Sequence, residues 1–205
     1  MAGGKRFDRA MLEQALRELG RRVHAAGRVV EIAIYGGCAV MLTLNYRIAT
    51  KDVDAVFEKD KDFIKKISAD MADEYGWDRD WLNDGVKGFL SAAETDPSAK
   101  KFIGTYPSEE EPGLRVFVPR PEYLFAMKCR AMRIGGVGTS QDIEDIRRLA
   151  EATGIRDARE ALDLVQAFYP RQIIEPKTLF GLEEIFAQLH DARMSDSAKD
   201  DDPER

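Results

Sequence analysis

Residues 32–57 read IAIYGGCAVMLTLNYRIATKDVDAVF, and this stretch decides how the chain folds. Its left end belongs to a β-branched, aromatic run, VVEIAIY at 29–35, as a largely buried strand requires. The run meets Gly36-Gly37 directly, and the apolar segment CAVMLTLNY at 38–46 then has the content of a short buried helix. DVDAVFE at 52–58 predicts a second strand, with Asp52 and Asp54 alternating with Val53. Residues two apart on a strand point to one face, about 6.6 Å apart. Two carboxylates so placed repel unless a cation neutralises them, and hard oxygen ligands at this spacing suit Mg²⁺ completed by substrate phosphates. A glycine pair allows close approach of phosphate oxygens, and the following helix start offers free N–H groups. Taken singly, Gly36-Gly37 reads equally as a tight turn, and Asp-x-Asp as a solvated strand face.

Outward from this stretch, the pattern predicts an α+β fold: a small mixed sheet with flanking helices, then a helical C-terminal half. A helix is expected over 7–26, with Met11, Leu12, Ala15, Leu16 and Leu19 as its apolar stripe and Gly27 as its end. Another is expected over 60–75. Residues 76–112 suggest a short helix or two around Trp81 and Phe89 and a strand at 101–106, followed by a turn. LRVFV at 114–118 is a strand closed by Pro119 and Pro121. Helices are then expected near 122–133, 140–151, 157–168 and 179–192, with the break IGGVG at 134–138. These readings divide the chain into a core at 1–120, a helical half at 121–192 completing the cleft, and a disordered acidic tail at 193–205.

A second constellation lies in the helical half. On a helix over 122–133, Lys128 falls on the apolar stripe of Leu124, Met127 and Ala131, whereas Arg130 and Arg133 point away. Asp142 falls between Ile146 and Leu149 on the next helix, with Glu144, Asp145 and Arg148 outward. An inward charge requires a charged partner or a ligand. The two residues therefore read either as a structural ion pair or as part of an active site, and Asp142 also reads as an N3 acid capped by Thr139.

The glycine pair, helix and Asp-x-Asp strand together resemble the defining motif of the polymerase-β-like nucleotidyltransferase superfamily. The lead-in Arg47-x-x-Thr50-x-Asp52-x-Asp54 is similar to its AbiEii-type branch of abortive-infection and toxin–antitoxin proteins. Lys128-x-x-Ala131-x-Arg133 with Asp142-x-x-Asp145-Ile146 resembles that branch's downstream lysine-and-aspartate motif. The resemblance implies Asp52, Asp54, Lys128 and Asp142 as catalytic residues, the first two holding Mg²⁺. It implies Gly36, Gly37, Arg47, Thr50 and Lys128 as the nucleotide-binding set. The implied activity is transfer of a nucleoside monophosphate from an NTP to an acceptor, tRNA first, with a cognate antitoxin as partner. Two departures stand out: LRVFV offers Arg115 where relatives carry a third carboxylate, and Gln141 precedes Asp142 where an arginine is usual. Glu94, Asp96 and Glu109 to Glu111 are the substitutes for the missing acid.

Composition narrows the alternatives. A net charge of −6 argues against broad, non-specific nucleic-acid binding while allowing a local basic site such as Lys128, Arg130, Arg133, Arg147 and Arg148. The same chemistry directed at a protein side chain or a small molecule such as an antibiotic is the second reading. A non-catalytic relative that binds nucleotide or a partner is the third. Cys38 and Cys129 read as buried hydrophobes in a reducing compartment, His24 and His190 as surface or capping residues, and Trp77 and Trp81 as core or as base-stacking platforms. Absence of a leader-like or membrane-spanning run places the expected protein in the cytoplasm, away from membranes.

Overall fold

A computed structural model describes residues 6–44, 46, 49–57, 59–133 and 139–200. The chain forms two compact units, Met1–Leu124 and Phe125–Arg205. The expected α+β class is observed.

In the first unit, helix α1 (Arg9–Ala25) is followed by strand β1 (Val30–Ile34), helix α2 (Gly36–Leu44), strand β2 (Val53–Val56) and helix α3 (Lys61–Tyr75). Strands β3 (Leu82–Asn83), β4 (Lys100–Pro107) and β5 (Pro112–Pro119) complete a five-stranded sheet in the order β3-β2-β1-β5-β4. The sheet is mixed: β1 is antiparallel to β2 and parallel to β5. β3 is parallel to β2, and β4 antiparallel to β5. Helix α1 begins later than expected because Asp8 caps it, its carboxylate accepting from the Met11 N–H at 2.8 Å. Phe7 is thereby free to form a bridge with Thr50 outside any named strand. Leu12, Ala15, Leu16, Leu19 and Val23 bury the inner face of α1, which packs on β4 and β5.

The segment between α3 and β4 differs most from expectation. Around Trp81 there is a strand, β3, and Phe89 closes one of three successive 3-10 turns over Gly85–Phe89, Ala92–Thr95 and Pro97–Ala99. The main-chain carbonyl of Trp81 accepts from Val53 N–H at 2.6 Å, so the edge of β2 dictates extended backbone there despite weak local propensity. Trp81 is buried and donates to the Ser68 carbonyl at 2.9 Å. Its ring centroid lies 5.1 Å from Trp77 and 5.5 Å from Phe7, which is the core reading of both tryptophans.

In the second unit, helix α4 (Pro121–Ala131), begun in the first, leads to α5 (Thr139–Thr153), α6 (Ala158–Phe168) and α7 (Pro176–Asp200). The Gly-rich break at 134–138 lies outside the described residues. Asp157 caps α6 by accepting from Glu160 N–H at 2.9 Å. Helix α7 is longer than expected at both ends. Residues 193–200, read as a disordered tail, continue it, because neither glycine nor proline interrupts 182–202 and extending a formed helix costs little. Residues 201–205 lie outside the described residues. Among the described residues no helix is long and apolar enough to cross a membrane.

Candidate active site

Strand register builds the acidic site. Ala33 faces Val56 and Ile34 faces Ala55, and the ladder continues as Tyr35 N–H donates to the Asp54 carbonyl at 2.8 Å. The end of β1 is thus pinned to Asp54, and the chain leaves that point through Gly36. Gly36 has φ +60, and a Cβ built on it would collide with Asp54 Oδ2. Only glycine accommodates both the left-handed backbone and the carboxylate lying over it. The expected helix start at residue 38 is therefore two residues late: α2 begins at the glycines themselves, whose N–H groups belong to the first turn and have no partner within the helix.

Asp54 lies within β2 and is half-buried, whereas Asp52 precedes the strand and is exposed. Asp52 thus stands just outside the strand that holds Asp54. Instead, Asp52 is fixed through its main chain. Its carbonyl accepts from the Thr50 hydroxyl at 3.3 Å and from the Cys38 thiol at 3.5 Å. Thr50 is buried, and its N–H and C=O pair with Phe7 at 2.8 and 2.7 Å. Read from sequence as nucleotide-binding, Thr50 has a structural role in this arrangement: it holds the backbone of Asp52. Arg47 lies outside the described residues. Gly37 is half-buried in the first turn of α2.

Glu94, one of the candidate substitute acids, is engaged inside the first unit. Its carboxylate accepts from Tyr35 Oη and, at 2.6 Å, from Lys100 Nζ, and its side chain is only 12% exposed. Tyr123 Oη, accepting from Ser91 N–H at 2.9 Å, lies near the same carboxylate. Burial, ahead of every other influence, pushes the Tyr123 phenol above its ordinary value. This network secures Tyr35, the residue immediately before the glycine turn. Asp96 instead caps a 3-10 turn by accepting from Ser98 N–H at 2.8 Å. Sequence offered no sign of the Tyr35–Glu94 pairing, because the partners are far apart in the chain and Glu94 lies in irregular structure.

In the second unit, Lys128 Nζ lies 2.7 Å from Asp145 Oδ2 and 3.6 Å from Asp142 Oδ1. Asp145, expected outward, is 1% exposed and is the nearer partner. A salt bridge supplies the physical reason: burial of the ammonium on α4 demands a carboxylate at contact distance, and Asp145 provides it one turn after Asp142. Asp142 also accepts from Arg133 Nε at 3.1 Å; Arg133, past the end of α4, folds back where the helical reading pointed it away. The other described cations of the candidate basic set are engaged as well. Arg130 lies over the Tyr169 ring at 5.0 Å, Arg147 reaches Gln188, and Arg148 pairs with Glu144 and Glu151.

Among the described residues no three His, Cys, Asp or Glu side chains converge as a ready metal cage. A cation at Asp52 and Asp54 would therefore draw its other ligands from substrate phosphates and water, which is the usual habit of Mg²⁺. The surroundings fit that ion: Asp54 is held over a side-chain-free glycine, with helix N–H groups alongside for the anion it would carry.

No protein-family model matches the chain, and no curated protein matches it. Among solved structures, an antigenic nucleotidyltransferase-like protein from Paracoccidioides brasiliensis is similar at 14% identity and a TM-score of 0.48, over 80% of this chain and 89% of that one.

Proposed function

We propose that the chain is a Mg²⁺-dependent nucleotidyltransferase that moves a nucleoside monophosphate from an NTP to an acceptor. One observation carries the reading: Asp54 Oδ2 occupies the space that a side chain at Gly36 would fill, at the first turn of α2. That contact brings together a carboxylate suited to a hard cation and main-chain donors suited to a phosphate. Asp52 and Asp54 would hold the ion, which when bound supplies charge neutralisation on the triphosphate. Gly36 and Gly37 would bind the terminal phosphates through their N–H groups, with Arg47 beside them. Thr50 and Cys38 keep the Asp52 backbone in place. The resemblance gives Lys128 the balancing of phosphate charge, and Asp142 the orientation of Lys128 or the activation of the acceptor hydroxyl. Positioning and fixed charge would supply most of the rate.

The acceptor that the sequence resemblance favours is tRNA, in a cytoplasmic toxin of the AbiEii type with a cognate antitoxin. A protein side chain and a small hydroxyl compound are the other acceptors. The Lys128–Asp145 contact favours a second reading, a nucleotide-binding relative without transfer activity, since that ammonium already has its counter-charge.

The test is transfer of label from each NTP, radiolabelled at the α-phosphate, into total tRNA and into cell protein with Mg²⁺, using Asp54→Ala as control. Label in tRNA that disappears in the variant supports the tRNA acceptor, and label in protein redirects the reaction there. NTP binding without either product points to a small-molecule acceptor. Absence of NTP binding overturns the nucleotidyltransferase reading.

A further inference from the structure

Three lysines in the first unit converge on one acid. Lys61 Nζ lies 2.6 Å, Lys87 Nζ 3.0 Å and Lys65 Nζ 3.7 Å from the carboxylate of Asp84. Lys61 and Lys65 are one helical turn apart on α3, and Lys87 comes from the 3-10 turn after β3. Like charges at this helical spacing repel, so Asp84 acts as a hub that gathers side chains which would otherwise spread apart. The hub is the better sheltered member: its side chain is 21% exposed, against 41%, 47% and 44% for Lys61, Lys65 and Lys87. Among the described residues, three ammonium groups within ion-pair distance of one carboxylate make a local excess of positive charge. Asp62, which also acts on Lys61 from α3, reduces that excess without abolishing it.

The position is informative. Asn83 pairs with Asp54 in the β2–β3 register, and Asp84 is the next residue. β3 is the terminal strand of the sheet, so the lysines stand at an open edge adjoining the acidic site. We propose that Lys61, Lys65 and Lys87 form a docking point for the phosphodiester backbone of a single-stranded polynucleotide, the acceptor strand of the proposed reaction. The naming of that strand as acceptor rests on the proposed function; the binding itself does not. Solvated, flexible ammonium groups suit successive backbone phosphates without reading bases.

The experiment is fluorescence anisotropy of a labelled oligouridylate with the full chain across a series of salt concentrations. Lys61→Ala/Lys65→Ala/Lys87→Ala is compared with the wild type, and Lys61→Arg/Lys65→Arg/Lys87→Arg serves as the charge-conserving variant. At roughly 0.7 per phosphate contact for single strands, loss of three contacts lowers the salt slope by about 2. The expected results are that fall, on the order of tenfold or more weaker binding, and recovery in the arginine variant. Unchanged affinity and slope in the alanine variant overturn the proposal. So does displacement of the oligonucleotide by inorganic tripolyphosphate at equal phosphate concentration, which would mark a site for compact polyphosphate. Asp54→Ala separates the two readings: it is expected to keep oligonucleotide affinity while losing Mg²⁺–NTP binding. Lysine-dependent oligonucleotide binding by a wild type that binds no NTP would sustain the docking point and remove its role as acceptor site.

Discussion

Asp54 and Gly36 are in steric conflict over one volume: the aspartate Oδ2 would lie within 2.4 Å of the first carbon of any other side chain at residue 36. The backbone at Gly36 also has φ +60. Any substitution there must both strain the turn and displace the carboxylate.

Gly36→Ala is therefore expected to weaken Mg²⁺–NTP binding at least tenfold and to lower stability by more than the ~1 kcal/mol typical of alanine at positive φ. Gly27→Ala is the control, because Gly27 has φ +69 with open space around it. Titration calorimetry and thermal denaturation of both variants separate the strain from the collision. Equal behaviour of the two would remove the importance assigned to the Asp54 contact.

Asp145→Asn leaves the Lys128 ammonium, 12% exposed, without its 2.7 Å partner. Breaking a buried pair in this way costs about 3–5 kcal/mol. Asp142→Asn is expected to cost less, since its contact with Lys128 is longer and its second partner, Arg133, is largely exposed. Lys128→Met combined with Asp145→Leu should recover most of the loss, read as a coupling energy from urea denaturation of the full cycle. Additive losses in the double variant would contradict the pairing.

Cys38 and Cys129 are both buried, and neither is in a disulfide. Burial raises the Cys129 thiol well above its ordinary value, which removes the reactive thiolate. Native protein is expected to react with a thiol reagent at least a hundredfold more slowly than urea-unfolded protein. Rapid modification of either cysteine under native conditions would show that its surroundings open readily.

The hydrogen bond from Lys61, followed by that from Lys87, holds the Asp84 carboxyl well below the usual carboxylate range. A depressed folded value means that the ionised form is favoured by folding. The contribution is present above the unfolded value, about 3.9 for aspartate, and fades as pH falls through the lower folded value. The difference in melting temperature between wild type and Asp84→Asn should stay constant above pH 5 and shrink below pH 4. A difference that grows on acidification would reverse the assigned sign.

Much of the architecture was legible because hydrophobic pattern and punctuation agreed. The β-branched run before Gly36, the apolar segment after it and the alternation at 52–56 each specified its element, and Asp-x-Asp drew attention to Asp54 at once. Tertiary pairing overrode local pattern elsewhere. Trp81 reads as helical or loop, yet Val53 needed a hydrogen-bond partner beside it and made β3 a strand. Asp145 was placed outward by helical angle alone, an estimate that ignores how far a lysine reaches across from a neighbouring helix. Thr50 was drawn into the nucleotide-binding set by motif, whereas its hydroxyl and backbone are occupied within the fold. Glu94 lies in irregular chain, where no periodicity announces which way a side chain turns.

The bridge between Phe7 and Thr50 ties the stretch just before α1 to the segment that carries Asp52. It makes that stretch a clasp on the acidic loop, although the two are more than forty positions apart. Trimming through residue 8 would remove the Asp8 cap of α1 and the buried Phe7 ring, and would unfasten the backbone on which Asp52 stands. A bulky fusion placed immediately before Phe7 would press on the same catch and, through it, on the Asp52 segment.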